Sequence, residues 1–141
     1  MYFSFTPSEA QEFNRQLKLP KGGAVISVVA LDRFQGLGFR TLDEWAVADA
    51  KGVSAGPPFT HSFDVPADSR VTAAIISVYD SATFGPDDQS EHRVNVFLEF
   101  RQKFFAAHLM YQTHDAKGSA FEKVFLDTIR SIRPIEGAKN K

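Results

Sequence analysis

The clearest pattern in the chain is a stripe of large apolar residues near its C-terminal end. The stripe consists of Phe121, Val124, Phe125, Thr128, Ile129 and Ile132. Spacings of three and four residues place these side chains on one face of a helix, opposite a charged face. Ser119 and Glu122 have the spacing of a capping box, and Pro134 ends the segment. The pattern therefore predicts an amphipathic helix over residues 119–132 that packs on the rest of the domain.

Apolar runs of a different period predict strands in the middle of the chain. Runs rich in β-branched and aromatic residues cover 23–31, 59–65, 70–79, 93–101 and 104–112, of which 59–65 is the weakest. The first and third are almost continuously apolar, which is typical of strands buried on both faces. The last two alternate with period two and are joined by a short link, so we predict that they form a hairpin.

Two further segments carry the start signal of a helix. Thr6 precedes Glu9 by three residues, and Thr41 precedes Glu44 in the same way. In this capping box the hydroxyl accepts from an orphan amide of the first turn while the glutamate reaches back. We expect helices over residues 6–17 and 41–50, ended by Pro20 and by Gly52 respectively.

The order of these elements indicates an α+β domain. Consecutive strands bounded by helices favour a single-layer antiparallel sheet, packed by the C-terminal amphipathic helix and additional short helices, and not alternating βαβ units. No repeat or linker divides the 141 residues, so residues 1–141 are expected to form a single domain. Residues 1–5 and 135–141 are expected to be loose termini.

Composition excludes several classes of function. Sixteen basic and seventeen acidic residues give a net charge of −1, without a dense Lys/Arg stripe, so nucleic acid is not an expected partner. The absence of cysteine excludes disulfides, thiolate catalysis and Cys-ligated metals. The 14 phenylalanines predict either a Phe-rich core or a groove lined by rings for an apolar ligand or partner.

Motifs that would carry chemistry are missing from the pattern. The four histidines are scattered, without a metal-binding i, i+4 pair; they are His61, His92, His108 and His114. Asp87, Asp88 and Glu91 lack the order of a calcium loop, and Gly36 and Gly38 lack the rest of a phosphate loop. We therefore predict a protein that is not an enzyme and that needs neither a metal nor a cofactor.

The last third of the chain resembles a known superfamily. A strand through Phe97-Leu98-Glu99-Phe100-Arg101 leads into a second apolar strand, followed by a helix that closes as Phe125-Leu126-Asp127-Thr128-Ile129-Arg130-Ser131-Ile132-Arg133-Pro134. This ending is similar to that of the PsbP-like superfamily, in particular its bacterial DcrB-like and Eag-chaperone branch. The resemblance spans roughly residues 23–134. It implies a non-enzymatic domain: an assembly factor, a chaperone-adaptor for secreted effectors, or an envelope lipoprotein.

Strand parity suggests where a partner binds. If Val94, Val96, Leu98 and Phe100 face the C-terminal helix, the opposite sheet face carries Phe97, Phe104, His108 and Met110. One interpretation is that helix 7–17 or helix 42–50, through Trp45, covers these residues as a second small core. The other is an open apolar face that binds a partner, and we adopt these four residues as the predicted partner-binding site.

The sequence leaves two functions open. The first is a bacterial accessory protein, such as a chaperone-adaptor or an immunity-type factor for a secreted effector, which binds a protein partner. The second is a periplasmic or lipid-anchored envelope protein that binds a small apolar ligand. The chain as written starts without a signal peptide and has no membrane-spanning run, which suits the cytoplasm, whereas removal of a signal would suit the periplasm. The oligomeric state stays open, with a dimer among the alternatives.

Overall fold

A computed structural model describes residues 2–4, 22–31, 40–83, 90–100 and 103–134. Six strands and two helices follow one another in this part of the chain. They are β1 (Tyr2–Ser4), β2 (Ala24–Leu31), α1 (Leu42–Ala50), β3 (Phe59–Ser62), β4 (Ala73–Asp80), β5 (Glu91–Phe100), β6 (Lys103–Gln112) and α2 (Gly118–Arg130). The fold is α+β, as the order of apolar patterns predicted. The helix expected over residues 6–17 and the tail 135–141 lie outside the described residues.

All strands belong to one antiparallel sheet with the order β1-β2-β6-β5-β4-β3. The hairpin of β5 and β6 lies at its centre and pairs Phe97 with Ala106 and Asn95 with His108. The predicted loose N-terminus differs from the structure, because residues 2–4 pair with β2 as an edge strand. Backbone hydrogen bonding to a neighbouring strand orders this segment in spite of its position at the chain end.

The main core lies between the sheet and α2. Phe121, Phe125 and Ile129 project from α2 onto the sheet face formed by the even-numbered residues of β5 and the odd-numbered residues of β6. The buried sheet residues of this core are Ala24, Ile76, Val94, Val96, Leu98, Ala107, Leu109 and Tyr111. Phe125 is only 1% exposed. Three members of the stripe predicted for the C-terminal helix pack as expected, whereas Val124, Thr128 and Ile132 are exposed, so the buried stripe is narrower than predicted. The predicted strand parity is confirmed.

The start of α2 differs from the prediction. The helix begins at Gly118, and its cap residue Lys117 makes no capping hydrogen bond through its side chain. Glu122 cannot complete a capping box with Ser119, since its carboxylate accepts instead from the hydroxyl of Tyr111 at 2.8 Å. A Cβ at Gly118 would lie 2.6 Å from the ring of Tyr111. The helix therefore starts where a residue without a side chain can pass the tyrosine.

The opposite sheet face carries a second, smaller core under α1. Its buried members are Leu42, Trp45, Ala46, Phe97 and Ala106, with Ile75 and Phe104 half-buried beside them. The predicted capping of α1 is confirmed, because Thr41 Oγ1 accepts from the amide of Glu44 at 3.1 Å. The Glu44 carboxylate in turn accepts from the amide of Arg40. This cap fixes where α1 begins and holds its apolar side against the sheet.

Candidate functional site

The structure brings the four predicted partner-binding residues to one sheet face but does not leave that face open. Phe97 is 0% exposed, and Met110 is 8% exposed. The ring of Trp45 stands edge-on to Phe97, with the ring centroids 5.2 Å apart. The open apolar face expected around Phe97 is therefore wrong, and the competing interpretation, a small core under α1, is the one the structure adopts. Phe97 and Met110 have almost no surface with which to contact a partner.

His108 lies in a polar row that crosses the buried face. Register places Ser77, Asn95, His108 and Ser27 side by side on four adjacent strands. Asn95 Nδ2 donates to the carbonyl of Ser77 at 3.0 Å, so Asn95 Oδ1 accepts from His108 Nδ1 at 2.8 Å. These contacts fix the tautomer of His108 and the orientation of its ring. His108 thus has a structural partner, which the sequence pattern did not reveal.

Burial favours the neutral form of His108. The pKa of His108 lies below its ordinary value because the side chain is removed from solvent, and the positive charge of Arg93 acts in the same direction. The carboxylate of Asp49 opposes the shift. Asp49 also accepts from the hydroxyl of Tyr79 at 3.3 Å, and burial raises the pKa of Tyr79 to about 12. Because Asp49 belongs to α1, this contact joins the C-terminal end of α1 to the sheet.

Of the four predicted residues, Phe104 lines an open pocket in the described part of the chain. The pocket has a volume of about 550 Å³ and lies where the N-terminal end of α1 meets the ends of β3 to β6. We call it the α1 cleft. Its lining consists of Arg40, Thr41, Leu42, Asp43, Ser62, Ala73, Ala74, Ile75, Glu99 and Phe104. The volume lies within the range of roughly 300–1,000 Å³ that is usual for ligand sites.

The α1 cleft combines an apolar floor with a charged rim. Leu42, Ile75 and Phe104 belong to the second core and extend it to the surface. Asp43, Glu99 and Arg40 line the same cleft, so carboxylates outnumber cations in its described lining, and neither carboxylate forms an ion pair within the described residues. An apolar group with a neighbouring cation fits such a site, because the group would be removed from water and the cation would meet an anion at a solvated rim.

A second cluster of titratable side chains joins α2 to the sheet. His92 Nδ1 lies 2.7 Å from Asp80 Oδ1, and His92 Nε2 lies 3.1 Å from Glu122 Oε1. Glu122 also accepts from Tyr111, and burial with this hydrogen bond raises the pKa of Tyr111 above its ordinary value. Both ring nitrogens of His92 are thus used in contacts between elements. The cluster positions α2, and exposed pairs of this kind contribute about 0–1 kcal/mol each.

Metal ligation finds no support in the described part of the chain. Among these residues no group of three or more His, Cys, Asp or Glu side chains is placed to hold a metal ion. A smaller pocket of about 170 Å³ lies at the other end of the sheet and is lined by Ser90, Gln112, Thr113, His114 and Asp115. The predicted acidic cluster falls partly outside the described residues, since Asp87 and Asp88 are not described and Glu91 begins β5.

The chain shares its fold with a protein of known structure. No family model matches the chain, and no curated protein matches it. Among solved structures, the chain is similar to PA94 from Pseudomonas aeruginosa, a protein of unknown function described as a candidate regulator. The two are 14% identical with a TM-score of 0.53, over 80% of this chain and 72% of that chain. At this identity the similarity shows a shared fold alone.

The comparisons leave the PsbP-like resemblance as a prediction, because none of them names a member of that superfamily. None of the helices among the described residues has the length and apolar character that a membrane span requires.

Proposed function

We propose that the protein is a non-enzymatic binding protein, which holds a partner protein by taking an apolar side chain of that partner into the α1 cleft. The observation that carries the proposal is the cleft itself, where the apolar floor of Leu42, Ile75 and Phe104 opens to the surface beside two carboxylates that form no ion pair within the described residues. Burial of one large apolar side chain contributes roughly 1.5–3 kcal/mol. A single anchor of this kind therefore changes affinity by about tenfold to a hundredfold.

The contacts of His92 and His108 favour binding over catalysis, because they give both side chains structural roles. A general base needs a ring nitrogen within reach of a substrate proton. His92 uses both nitrogens on carboxylates that join α2 to the sheet, and His108 is oriented by Asn95 within a buried row. The polar groups of these clusters support the fold. The cleft, by contrast, is lined by apolar and charged side chains and contains no histidine.

The resemblance to the PsbP-like superfamily suggests the class of protein to which such a binding site would belong. A bacterial accessory protein, such as a chaperone-adaptor or an immunity-type factor for a secreted effector, works by holding a partner and needs no catalytic group. The α+β architecture with a closing C-terminal helix is compatible with this assignment. The alternative, an envelope protein that takes a small apolar ligand, is supported by the cleft volume of about 550 Å³.

A blocking substitution tests the proposal. Ala73 is exposed and lines the cleft, so Ala73→Trp fills the space without entering the buried core. Ala116→Trp is the matched control, because Ala116 is exposed in the turn before α2, at the other end of the sheet. Tagged wild-type and variant proteins are used to capture partners, which mass spectrometry identifies. We expect a partner that Ala116→Trp retains and Ala73→Trp loses.

Other outcomes of this capture experiment decide against the proposal. A partner retained equally by both variants would place the binding surface elsewhere. Loss of a co-purified small apolar molecule from Ala73→Trp, without loss of any protein, would favour the envelope alternative. Thermal melts of both variants are needed beside the capture, because a midpoint near that of the wild type shows that the fold is intact.

A further inference from the structure

Strand β3 forms an exposed edge of the sheet. It pairs with β4, and no other described strand pairs with it. All four of its residues are exposed, and Phe59 reaches 68%. The strand also contains no Lys, Arg, Asp or Glu, since β3 reads Phe-Thr-His-Ser. Edge strands in monomeric proteins are usually protected by charges, bulges or covering elements, because their free backbone groups pair with other chains.

The hydrogen-bond pattern shows which backbone groups of β3 point outward. The amide of Phe63 donates to the carbonyl of Ala74 at 3.1 Å, directly after the strand. Hydrogen-bonded pairs alternate along an antiparallel ladder, so His61 and Phe59 also direct their backbone groups to β4. Thr60 and Ser62 therefore direct their N–H and C=O groups to the open edge. The ring of His61 donates to the carbonyl of Ser62 at 2.8 Å, which leaves that oxygen one lone pair.

The open edge is continuous with the α1 cleft. Register pairs Ser62 with Ile75, and both line the cleft, so one face of β3 borders it directly. In a strand added beside β3, alternate side chains would point to this face and could enter the cleft. The intervening side chains would lie beside Phe59 and His61, whose rings are 5.0 Å apart on the other face. The site thus offers main-chain pairing and a side-chain pocket together.

We propose that the partner is recognised as an extended segment that pairs with the edge of β3 and places one apolar side chain in the α1 cleft. This inference rests on the proposed function and names the form of the partner. Among the described residues, the lining carries two carboxylates, Asp43 and Glu99, against one guanidinium, Arg40, and this excess of negative charge favours a Lys or Arg next to the apolar residue. Recognition by strand addition obtains affinity from main-chain hydrogen bonds and specificity from alternate side chains.

The length of the added strand is limited by the chain itself. Pro57 and Pro58 precede β3 and Pro66 follows it. Proline has no amide hydrogen, so the ladder cannot extend far beyond Thr60 and Ser62. We therefore expect a short recognition segment, whose apolar side chain contributes at least as much to the binding free energy as its backbone hydrogen bonds.

A set of synthetic peptides tests the inference with known probes. Each peptide is a fluorescently labelled heptamer whose residues alternate. The central residue is Phe, Leu, Ile, Val or Trp. The flanking residues are Thr and either Lys or Glu. Binding is followed by fluorescence anisotropy. We expect Lys-flanked peptides to bind more tightly than Glu-flanked ones. N-methylation of the amides that face β3 should weaken binding about tenfold, because the methyl group removes the donors and blocks strand approach.

Variants of β3 provide the complementary test. Thr60→Pro removes an outward N–H, and proline is tolerated at an edge where the N–H faces solvent. Thr60→Val is the matched control, since it keeps the amide and the β-branched shape. We expect about a tenfold loss of peptide affinity in Thr60→Pro and less than about a twofold change in Thr60→Val, with thermal midpoints of both near the wild type.

The outcomes separate this inference from the proposed function. If Ala73→Trp abolishes peptide binding while N-methylation and Thr60→Pro have no effect, the cleft binds but strand addition is overturned. If no peptide of the set binds, the inference is overturned, while capture of a partner through the cleft can still stand. If Thr60→Pro converts a dimer of the wild-type protein into a monomer, as measured by sedimentation, the edge belongs to a second copy of this chain and the inference is overturned.

Discussion

Truncation of Phe97 decides whether the face under α1 is a core or a surface. Phe97 is fully buried, and its ring lies 5.2 Å from that of Trp45 and 5.9 Å from that of His108. Phe97→Ala removes the largest fully buried side chain of the second core and leaves a cavity beneath Trp45. Substitutions of this kind cost about 3–5 kcal/mol. Since domains have total stabilities of about 5–15 kcal/mol, the loss would be a large fraction.

The assay for Phe97→Ala is equilibrium unfolding in urea, followed by far-UV circular dichroism and by the fluorescence of Trp45. A double-mutant cycle with Trp45→Ala isolates the contact between the two rings, for which we expect a coupling of about 0.5–1.5 kcal/mol. A loss below about 1 kcal/mol for Phe97→Ala would refute the reasoning, because a side chain on an open face leaves no cavity when truncated. It would restore the open partner-binding face that the sequence suggested.

Three further predictions follow from the contacts of the helices and of the buried histidine. Phe125→Ala should cost about 3–5 kcal/mol in a urea titration, whereas Val124→Ala, at a half-exposed position of α2, should change stability by less than about 0.5 kcal/mol. Because burial lowers the pKa of His108, the unfolded chain binds its proton more readily, so stability should fall as pH drops below about 6.5; His108→Gln should reduce this dependence between pH 7 and pH 5.5. Since we predict that the protein needs no metal, we expect addition of EDTA to leave the thermal midpoint unchanged. A shift of several degrees would contradict this prediction.

Strand parity was the part of the fold that sequence predicted best. Period-two alternation in β5 and β6 placed Phe97, Phe104, His108 and Met110 on one face, and the register confirms it. This works because a strand has only two faces and a one-residue slip would expose the whole apolar set. The stripe of α2 was informative for Phe121, Phe125 and Ile129, which are spaced by four residues and buried, but it also included Val124, Thr128 and Ile132, which are exposed.

What covers the second face could not be decided from alternation alone. The sequence pattern that places Phe97 and Phe104 on one face is the same whether a helix of the chain or a partner buries that face. A signal existed in α1, where Leu42, Trp45 and Ala46 are spaced by three and four residues and form a short apolar stripe. The start of α2 was missed for a different reason. Glu122 has a long-range hydrogen bond to Tyr111, and local spacing cannot reveal such a competitor for the side chain.

The α1 cleft itself lay beyond sequence reasoning. Its lining comes from the ends of five elements, which the topology brings together although they are distant along the chain. Only Phe104 was among the predicted site residues, and it was chosen by parity and not by its position at the end of β6. The capping signal of Thr41 located one wall of the cleft without indicating that a cleft was there.

The most direct test of the account replaces Ala73 with a photo-crosslinking amino acid, with the same replacement at Ala116 as the control. Irradiation of cells or lysate, followed by mass spectrometry, identifies the partner residue that lies in the cleft. If the α1 cleft holds a partner as proposed, we expect a specific crosslink from position 73, to an apolar residue of an extended segment with a neighbouring Lys or Arg, and none from position 116. Crosslinks from position 116 alone, or equal crosslinks from both positions, would contradict it.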